Sequence, residues 1–128
     1  MQMMLFDTDI LIWVERGNSK AAKLIDKTLD RKISTYSYME LFQGARGKSE
    51  QKNIKDFLFD YQFEILPLSE NIGHRAAIYI AEFALSNDLR AGDAIIAATA
   101  TEHNLVLSTS NKKHFKPIHD LQLRVFAP

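Results

Sequence analysis

Three isolated carboxylates stand in apolar stretches of this sequence, where an ionised side chain is costly to bury. Asp7 lies between MQMMLF and TDILIWV, Glu40 within ISTYSYMELFQGA, and Asp93 within RAGDAIIAATA. A buried carboxylate must be paired, hydrogen-bonded or bound to a metal. Arg90 is the only Lys or Arg inside these flanks. If the fold brings the acids together, their mutual repulsion requires a divalent cation, and this is the main hypothesis.

Each acid also has a purely structural interpretation. Asp9 is typical of a helix N-cap before ILIWVE, which leaves Asp7 without a structural task and favours a functional role for it. Ser37 and Glu40 have the spacing of a capping box, so the structural and the metal role of Glu40 stay equally open. Asp93 could be an N-cap, where the helix dipole favours the ionised form that a metal ligand needs.

The donor types indicate which metal and which chemistry to expect. The chain has no Cys, and its oxygen ligands favour hard cations, Mg²⁺ or Mn²⁺. Such a cation keeps bound waters and leaves room for phosphate oxygens, so the acids suggest phosphoryl chemistry. No glycine-rich phosphate loop occurs. The histidines lack metal-ligand spacing and are expected to be surface or structural residues; they are His74, His103, His114 and His119.

Composition limits the remaining possibilities. The 128 residues predict one domain, residues 1–128, with 46% hydrophobic and 25% charged residues, as in ordinary globular proteins. Lys plus Arg equals Asp plus Glu at 16 each, so the broad basic field of strong nucleic-acid binders is absent. No signal peptide and no apolar run of about 20 residues is visible. A cytoplasmic protein with no membrane contact is therefore expected.

Alternating strand and helix patterns predict an α/β fold, with a central, mostly parallel sheet flanked by helices. In such sheets, ligands collect outside the carboxyl ends of the strands, and the three acids could all face that edge. The predicted strands are Met3–Phe6, Lys32–Thr35, Phe63–Leu66, Leu105–Ser108 and Leu121–Phe126. The predicted helices are Asp9–Glu15, Lys20–Asp30, Ser37–Arg46, Glu50–Tyr61, Ser69–Asn87 and Asp93–His103.

Three segments together resemble the PIN-domain ribonucleases. MLFDTDILIWV is similar to the first strand of that family and its terminal Asp, and ISTYSYMELFQGA to the segment in which a Glu precedes a Gly by four residues. LRAGDAIIAATATEHNLVLSTSNKKHF is similar to the third segment, in which an Asp opens a helix. Order and spacing match over nearly the whole chain, and its length suits the VapC-like toxins of toxin–antitoxin pairs.

The resemblance implies a metal-dependent endoribonuclease in which an activated water attacks the phosphodiester. Residue by residue, Asp7, Glu40 and Asp93 match the acids that hold Mg²⁺ or Mn²⁺ in the family. A fourth acid of many members falls at Asn111, which puts a full second metal site in doubt, and Asp9 is an additional carboxylate. The resemblance also implies a PIN-like domain, a homodimer and a cognate antitoxin that blocks the acidic pocket.

A neutral protein with an acidic pocket needs local cations to hold RNA. Arg46 and Lys48 follow the segment of Glu40, and Lys112 and Lys113, with Lys116, follow Asn111. These are the candidate phosphate contacts, although solvated surface side chains are an equally good interpretation of each.

Three alternatives stay open. FDTDIL also looks like the Asp-x-Asp opening of haloacid dehalogenase-type phosphatases, with Asp7 as nucleophile and Asp9 as acid/base, but the later paired acids of that family are missing. A signalling receiver domain would need an acceptor Asp at the end of the central strand, whereas Asp56 and Asp60 fall in a helical pattern. A catalytically inactive PIN-like binding module would keep the fold without the chemistry.

Overall fold

The computed structural model describes residues 3–128 and contains one five-stranded sheet. The strands are β1 (Met3–Phe6), β2 (Asp30–Ser34), β3 (Glu64–Leu66), β4 (Val106–Thr109) and β5 (Gln122–Val125). They lie in the order β3-β2-β1-β4-β5, and every neighbouring pair is parallel. The predicted α/β fold is confirmed, and the described sheet is parallel throughout rather than mostly parallel.

Helices connect the strands and cover both faces of the sheet, as parallel strands require. They are α1 (Thr8–Glu15), α2 (Ser19–Lys27), α3 (Thr35–Gly44), α4 (Lys48–Asp60), α5 (Glu70–Asn87), α6 (Ala91–Glu102) and α7 (Lys112–Phe115). Six of these helices were predicted, with ends displaced by at most three residues. The short α7 was not predicted, because a single turn carries too few residues for an apolar period to show.

Side chains of the central strand β1 alternate between the two faces of the sheet, and the core accordingly has two parts. Met4 and Phe6 of β1 belong to a buried cluster with side chains of α1, α2, α3 and α4, on one face of the sheet. Leu5 points to the other face and belongs to a cluster with α5, α6 and α7. The continuous apolar run of β1 thus reflects a strand buried on both faces, as is usual in parallel sheets.

The strand order creates a crevice at one edge of the sheet. From β1 the chain proceeds outward through β2 to β3, and then returns to the other side of β1 for β4 and β5. The direction of winding therefore reverses between β1 and β4, and crevices at such reversals lie outside the carboxyl ends of the strands. Asp7 directly follows β1 and donates its backbone N–H to the Ser108 carbonyl of β4 at 2.9 Å.

Small residues let α6 pack closely on its surroundings. Seven of its residues are buried, and four of these are alanines. The result is a buried helix whose N-terminal end lies at the crevice and carries Asp93. Within residues 3–128, no helix combines the length and the apolar character that crossing a membrane would require.

We expect Ala97→Leu to destabilise the protein by about 1–3 kcal/mol, because Ala97 is fully buried in α6 and added methylenes must displace neighbours. Chemical denaturation measures the free energy of unfolding. Ala81→Leu, the same change at an exposed position of α5, is the control and should change it by less than about 0.5 kcal/mol. Equal effects of the two substitutions would contradict the close packing of α6.

Candidate active site

Four carboxylates line a cavity of about 350 Å³ at the carboxyl ends of β1 and β4: Asp7, Asp9, Glu40 and Asp93. Asn111 lines the same cavity. The structure thus brings together all four residues named from the sequence as catalytic candidates. Each comes from a different element: Asp7 ends β1, Glu40 lies on α3, Asp93 on α6, and Asn111 precedes α7.

Asp7 is the most constrained of these acids. It is only 7% exposed, its Oδ1 accepts from Thr8 N at 2.8 Å, and its Oδ2 accepts from Thr109 Oγ1 at 2.7 Å. Burial, followed by the charge of Asp9 and more weakly that of Asp93, raises the pKa of Asp7 from 3.8 to about 7, against the effect of the two hydrogen bonds. The pocket therefore resists the full ionisation of its acids.

Asp9 does not cap the helix, and that prediction is wrong. The N-cap of α1 is Asp7, and Asp9 is the second residue of the helix. Its Oδ2 instead accepts from the backbone N of Ser110 at 3.0 Å and from the Ser110 hydroxyl. Its Oδ1 is buried and has no hydrogen-bond partner within residues 3–128. A buried, unpartnered carboxylate oxygen at an acidic cavity is what an additional metal ligand leaves when the ion is absent.

Glu40 is not part of a capping box either. Helix α3 begins at Thr35 with Ser34 as its N-cap, whose side chain accepts from Ser37 N at 3.0 Å. Glu40, six residues further, is free for another role. Its Oε1 accepts from Thr8 Oγ1 at 2.5 Å, a contact that joins α3 to the start of α1 beside Asp7.

Asp93 occupies the third position of α6, because the helix begins at Ala91 with Arg90 as its N-cap. Its Oδ2 accepts from Arg90 N at 3.3 Å and lies 3.0 Å from His114 Nδ1. That same ring nitrogen lies 2.9 Å from Asn111 Nδ2. A protonated Nδ1 donates to Asp93, whereas an unprotonated Nδ1 accepts from Asn111, so the two contacts compete for one nitrogen.

His114 is the functional candidate that the sequence did not reveal. It was expected in a polar loop as a surface or structural residue, but it lies on α7 and lines the acidic cavity. Its position three residues after Asn111 would have placed both on one helical face, had the short α7 been recognised.

The side chains of the cavity offer the oxygen ligands that a hard divalent cation prefers, although these oxygens do not converge on one point. Among residues 3–128, no three His, Asp or Glu side chains are close enough together to hold a single ion. The cavity nevertheless offers four carboxylates, one with an unpartnered oxygen. Oxygen ligands of this kind suit Mg²⁺ and Mn²⁺.

None of the four cations predicted to bind RNA lines this cavity. Arg46 lines a neighbouring recess that also contains Glu40, and its Nε donates to Glu50 Oε2 at 3.1 Å. Lys48 is the first residue of α4. Lys112 and Lys113 are exposed on α7, directly after Asn111.

Tyr36 also lines the cavity, one helical turn before Glu40. Partial burial, and then the negative charges of Glu40 and Asp93, raise the pKa of Tyr36 above its usual value. The phenol therefore stays protonated and presents a hydrogen-bond donor to an otherwise acidic surface.

Fold and cavity together define a parallel α/β protein with an acid-lined site at its winding reversal, and known proteins are similar to it in sequence and fold. The sequence model of the PIN domain matches residues 4–119. Ribonuclease VapC10 of Mycobacterium tuberculosis is 34% identical over 124 residues, covering 94% of this chain and 91% of that protein. The chain therefore belongs to the PIN domain family, which confirms the resemblance and excludes the phosphatase and receiver alternatives.

Solved structures agree with this assignment. A chain of a toxin–antitoxin complex from Klebsiella pneumoniae superposes with a TM-score of 0.76 at 33% identity, covering 92% of this chain and 94% of that one. A chain of VapBC-1 from nontypeable Haemophilus influenzae superposes with a TM-score of 0.79 at 26% identity, covering 96% and 97%.

The raised pKa of Asp7 predicts an unusual pH dependence of stability when divalent cations are removed. Between about pH 4 and 7 the folded protein holds a proton on Asp7 that the unfolded chain releases. The free energy of unfolding should therefore fall as pH rises through this range, by at most about 4 kcal/mol. Urea denaturation in chelator at several pH values measures this.

In Asp7→Asn the free energy of unfolding should not decrease between pH 4 and 7, because the amide carries no charge and keeps the shape of the side chain. Exposed Asp60 on α4 supplies the control: Asp60→Asn should follow the wild-type curve. A wild-type curve that rises steadily from pH 4 to 7, unchanged by Asp7→Asn, would contradict the assigned electrostatics.

Proposed function

We propose that this protein is a Mg²⁺- or Mn²⁺-dependent endoribonuclease and the toxin of a toxin–antitoxin pair. One observation carries the proposal: four carboxylates meet at one cavity, and within residues 3–128 none of them forms an ion pair with Lys or Arg. The 34% identity to a protein named as a ribonuclease, and the likeness to a chain of a toxin–antitoxin complex, support it.

Asp7, Glu40 and Asp93 would hold the cation, with Asn111 beside them and Asp9 as a further carboxylate. A bound cation would supply an activated water and neutralise charge on the phosphate. The protein's own part is orientation: Thr8 and Thr109 hold Asp7 by both of its oxygens, and His114 holds Asp93. The amide of Asn111 carries no charge, which lowers the repulsion in the pocket and favours one tightly held ion over two.

The RNA backbone would reach this cavity between two groups of cations. Arg46 and Lys48 follow Glu40 in the sequence, and Lys112 and Lys113 follow Asn111 on α7. Contacts of this kind hold a nucleic acid without reading its sequence. The overall charge of zero means that these local groups must supply the attraction that a basic protein would supply globally.

The partners follow from the same assignment. A cognate antitoxin would cover the acidic cavity, and the protein would act as a homodimer in the cytoplasm, where its RNA is found. Residues 1–128 would form one nuclease unit. These statements rest on the relatives named above and on the family resemblance, whereas the cavity itself carries the proposed chemistry.

Purified protein should cleave RNA only with Mg²⁺ or Mn²⁺. Asp93→Asn or Glu40→Gln should lower the cleavage rate by more than about 100-fold, since substitution of residues that only contact the metal ligands already lowers metal affinity or activity about 10–100-fold. Sequencing of 5′ ends after incubation with total bacterial RNA reveals the cut sites. Asp60→Asn serves as the surface control, and circular dichroism verifies folding.

Full activity of both variants would contradict the metal-site assignment. A folded wild-type protein that binds RNA but cuts none of it, with either metal, would instead favour the inactive binding module.

Expression in a bacterial host should arrest growth, and Asp93→Asn should abolish the arrest because it removes a proposed metal ligand. Co-expression of the product of the neighbouring gene should relieve the arrest if that product is the antitoxin. Colony counts after induction measure both effects. Equal toxicity of wild type and Asp93→Asn would contradict a toxic role for the nuclease activity.

A further inference from the structure

The ring of Tyr36, on α3, packs against the end of α6 that carries Asp93. It occupies a space that is free because residue 92 is a glycine. A Cβ added to Gly92 would lie 2.4 Å from Tyr36 Oη and 2.5 Å from Cε2 and Cζ. Such distances are far below van der Waals contact, so the edge of the phenol ring rests directly on the backbone of Gly92. The ring thereby spans from α3 to α6, between Glu40 and Asp93.

The hydroxyl of Tyr36 is free, unlike that of the buried tyrosine elsewhere in the protein. Tyr79 Oη lies 3.2 Å from Thr101 Oγ1 and 3.0 Å from Asp120 Oδ1. Tyr36 Oη has no hydrogen-bond partner in the described part of the chain, although it lines a cavity rich in acceptors. Packing alone would be served equally well by a phenylalanine, so the hydroxyl has no structural task.

Arg90 is the only Lys or Arg among the described residues that line the acidic cavity. Its guanidinium is also free, whereas Arg75 contacts Glu102 and Asp120, and Arg31 donates to the carbonyls of Ile25 and Tyr61. The guanidinium of Arg90 is exposed at the edge of the cavity, and no carboxylate in the described residues engages it, so it is free to contact an external anion.

We propose that Tyr36 and Arg90 hold a phosphate group of the RNA at the mouth of the cavity, with the phenol and the guanidinium donating to its oxygens. This inference rests on the proposed nuclease function and deepens it. The acids below repel the phosphate, so donors at the entrance must offset that repulsion before the chemistry begins. Arg90 supplies charge and a planar fork of donors, and Tyr36 supplies one neutral donor fixed in place by Gly92.

Steady-state cleavage of a short synthetic RNA that spans the strongest cut site tests the proposal, with KM and kcat measured at several KCl concentrations. Tyr36→Phe and Arg90→Gln should each raise KM about tenfold, the usual worth of a hydrogen bond to a charged group, and leave kcat nearly unchanged. Arg90→Gln should also lower the slope of log KM against log salt concentration by about 0.7, because one phosphate contact is lost. Tyr36→Phe should leave that slope unchanged.

Matched controls come from the same protein. Tyr38→Phe makes the same change on α3 at a tyrosine that packs against Phe42 outside the cavity, and Lys23→Gln removes a charge from an exposed position of α2. Both should behave as wild type. Arg90→Lys should recover the salt dependence and part of the affinity, since lysine keeps the charge but not the fork.

Gly92→Ala displaces Tyr36 without removing it and gives an independent test. The added methyl must push the ring away from α6, so KM should rise about as much as in Tyr36→Phe. The double variant Gly92→Ala/Tyr36→Phe should then lose little more than either single variant, since both remove the same hydrogen bond. Fully additive losses would overturn the role given to the hydroxyl.

The outcome separates this inference from the proposed function. If wild type cuts and Asp93→Asn does not, while Arg90→Gln and Tyr36→Phe match their controls in KM and in salt slope, the nuclease stands and the phosphate contact is overturned. If folded wild type cuts no RNA, the proposed function is overturned and the inference falls with it.

Discussion

Repulsion among carboxylates that share one cavity is the constraint on which the rest of this structure depends. Asp7 is almost fully buried and shares the cavity with Asp9, Glu40 and Asp93. Burial, followed by the charges of Asp9 and more weakly Asp93, raises the pKa of Asp7 to about 7. A protein gains no stability from such an arrangement, so its retention indicates a use for concentrated negative charge.

The fold tolerates this cost through hydroxyl donors and through topology. Thr8, Thr109 and Ser110 each donate to one of the acids, and all three follow or end the strands that form the winding reversal. The parallel strands β1 and β4 are buried on both faces, so their ends are held rigidly by the two core clusters. The backbone positions from which the acids extend are therefore fixed by the packing of the two core clusters.

The sequence predicted the fold and the membership of the acid cluster better than the local role of each acid. The periods of strands and helices repeat along each element, so a parallel sheet flanked by helices could be inferred, whereas the strand order was not predicted. Helix caps depend on where the chain turns, and both cap predictions were wrong. Asp7 rather than Asp9 caps α1, and Ser34 rather than Ser37 caps α3. Both errors assigned a capping task to an acid, Asp9 or Glu40, that the structure leaves free of it.

Contacts between distant segments could not be predicted at all. His114 reaches Asp93 across 21 positions of sequence, and Tyr36 rests on Gly92 from a different helix. Neither residue type is unusual in its own segment, so no local pattern marks it. Such residues emerge only when the fold places the ends of α3, α6 and α7 together.

The stability of the protein with and without a divalent cation tests the central claim most directly. At about pH 7.5, slightly above the pKa of about 7 of Asp7, Mn²⁺ should raise the melting temperature of the wild type in a concentration-dependent manner, as expected for a ligand that binds only the folded state. Asp7→Asn should begin with a higher melting temperature in chelator and gain much less from the metal. A wild-type melting temperature that does not respond to Mn²⁺ or Mg²⁺, with Asp7→Asn less stable than wild type in chelator, would contradict the account.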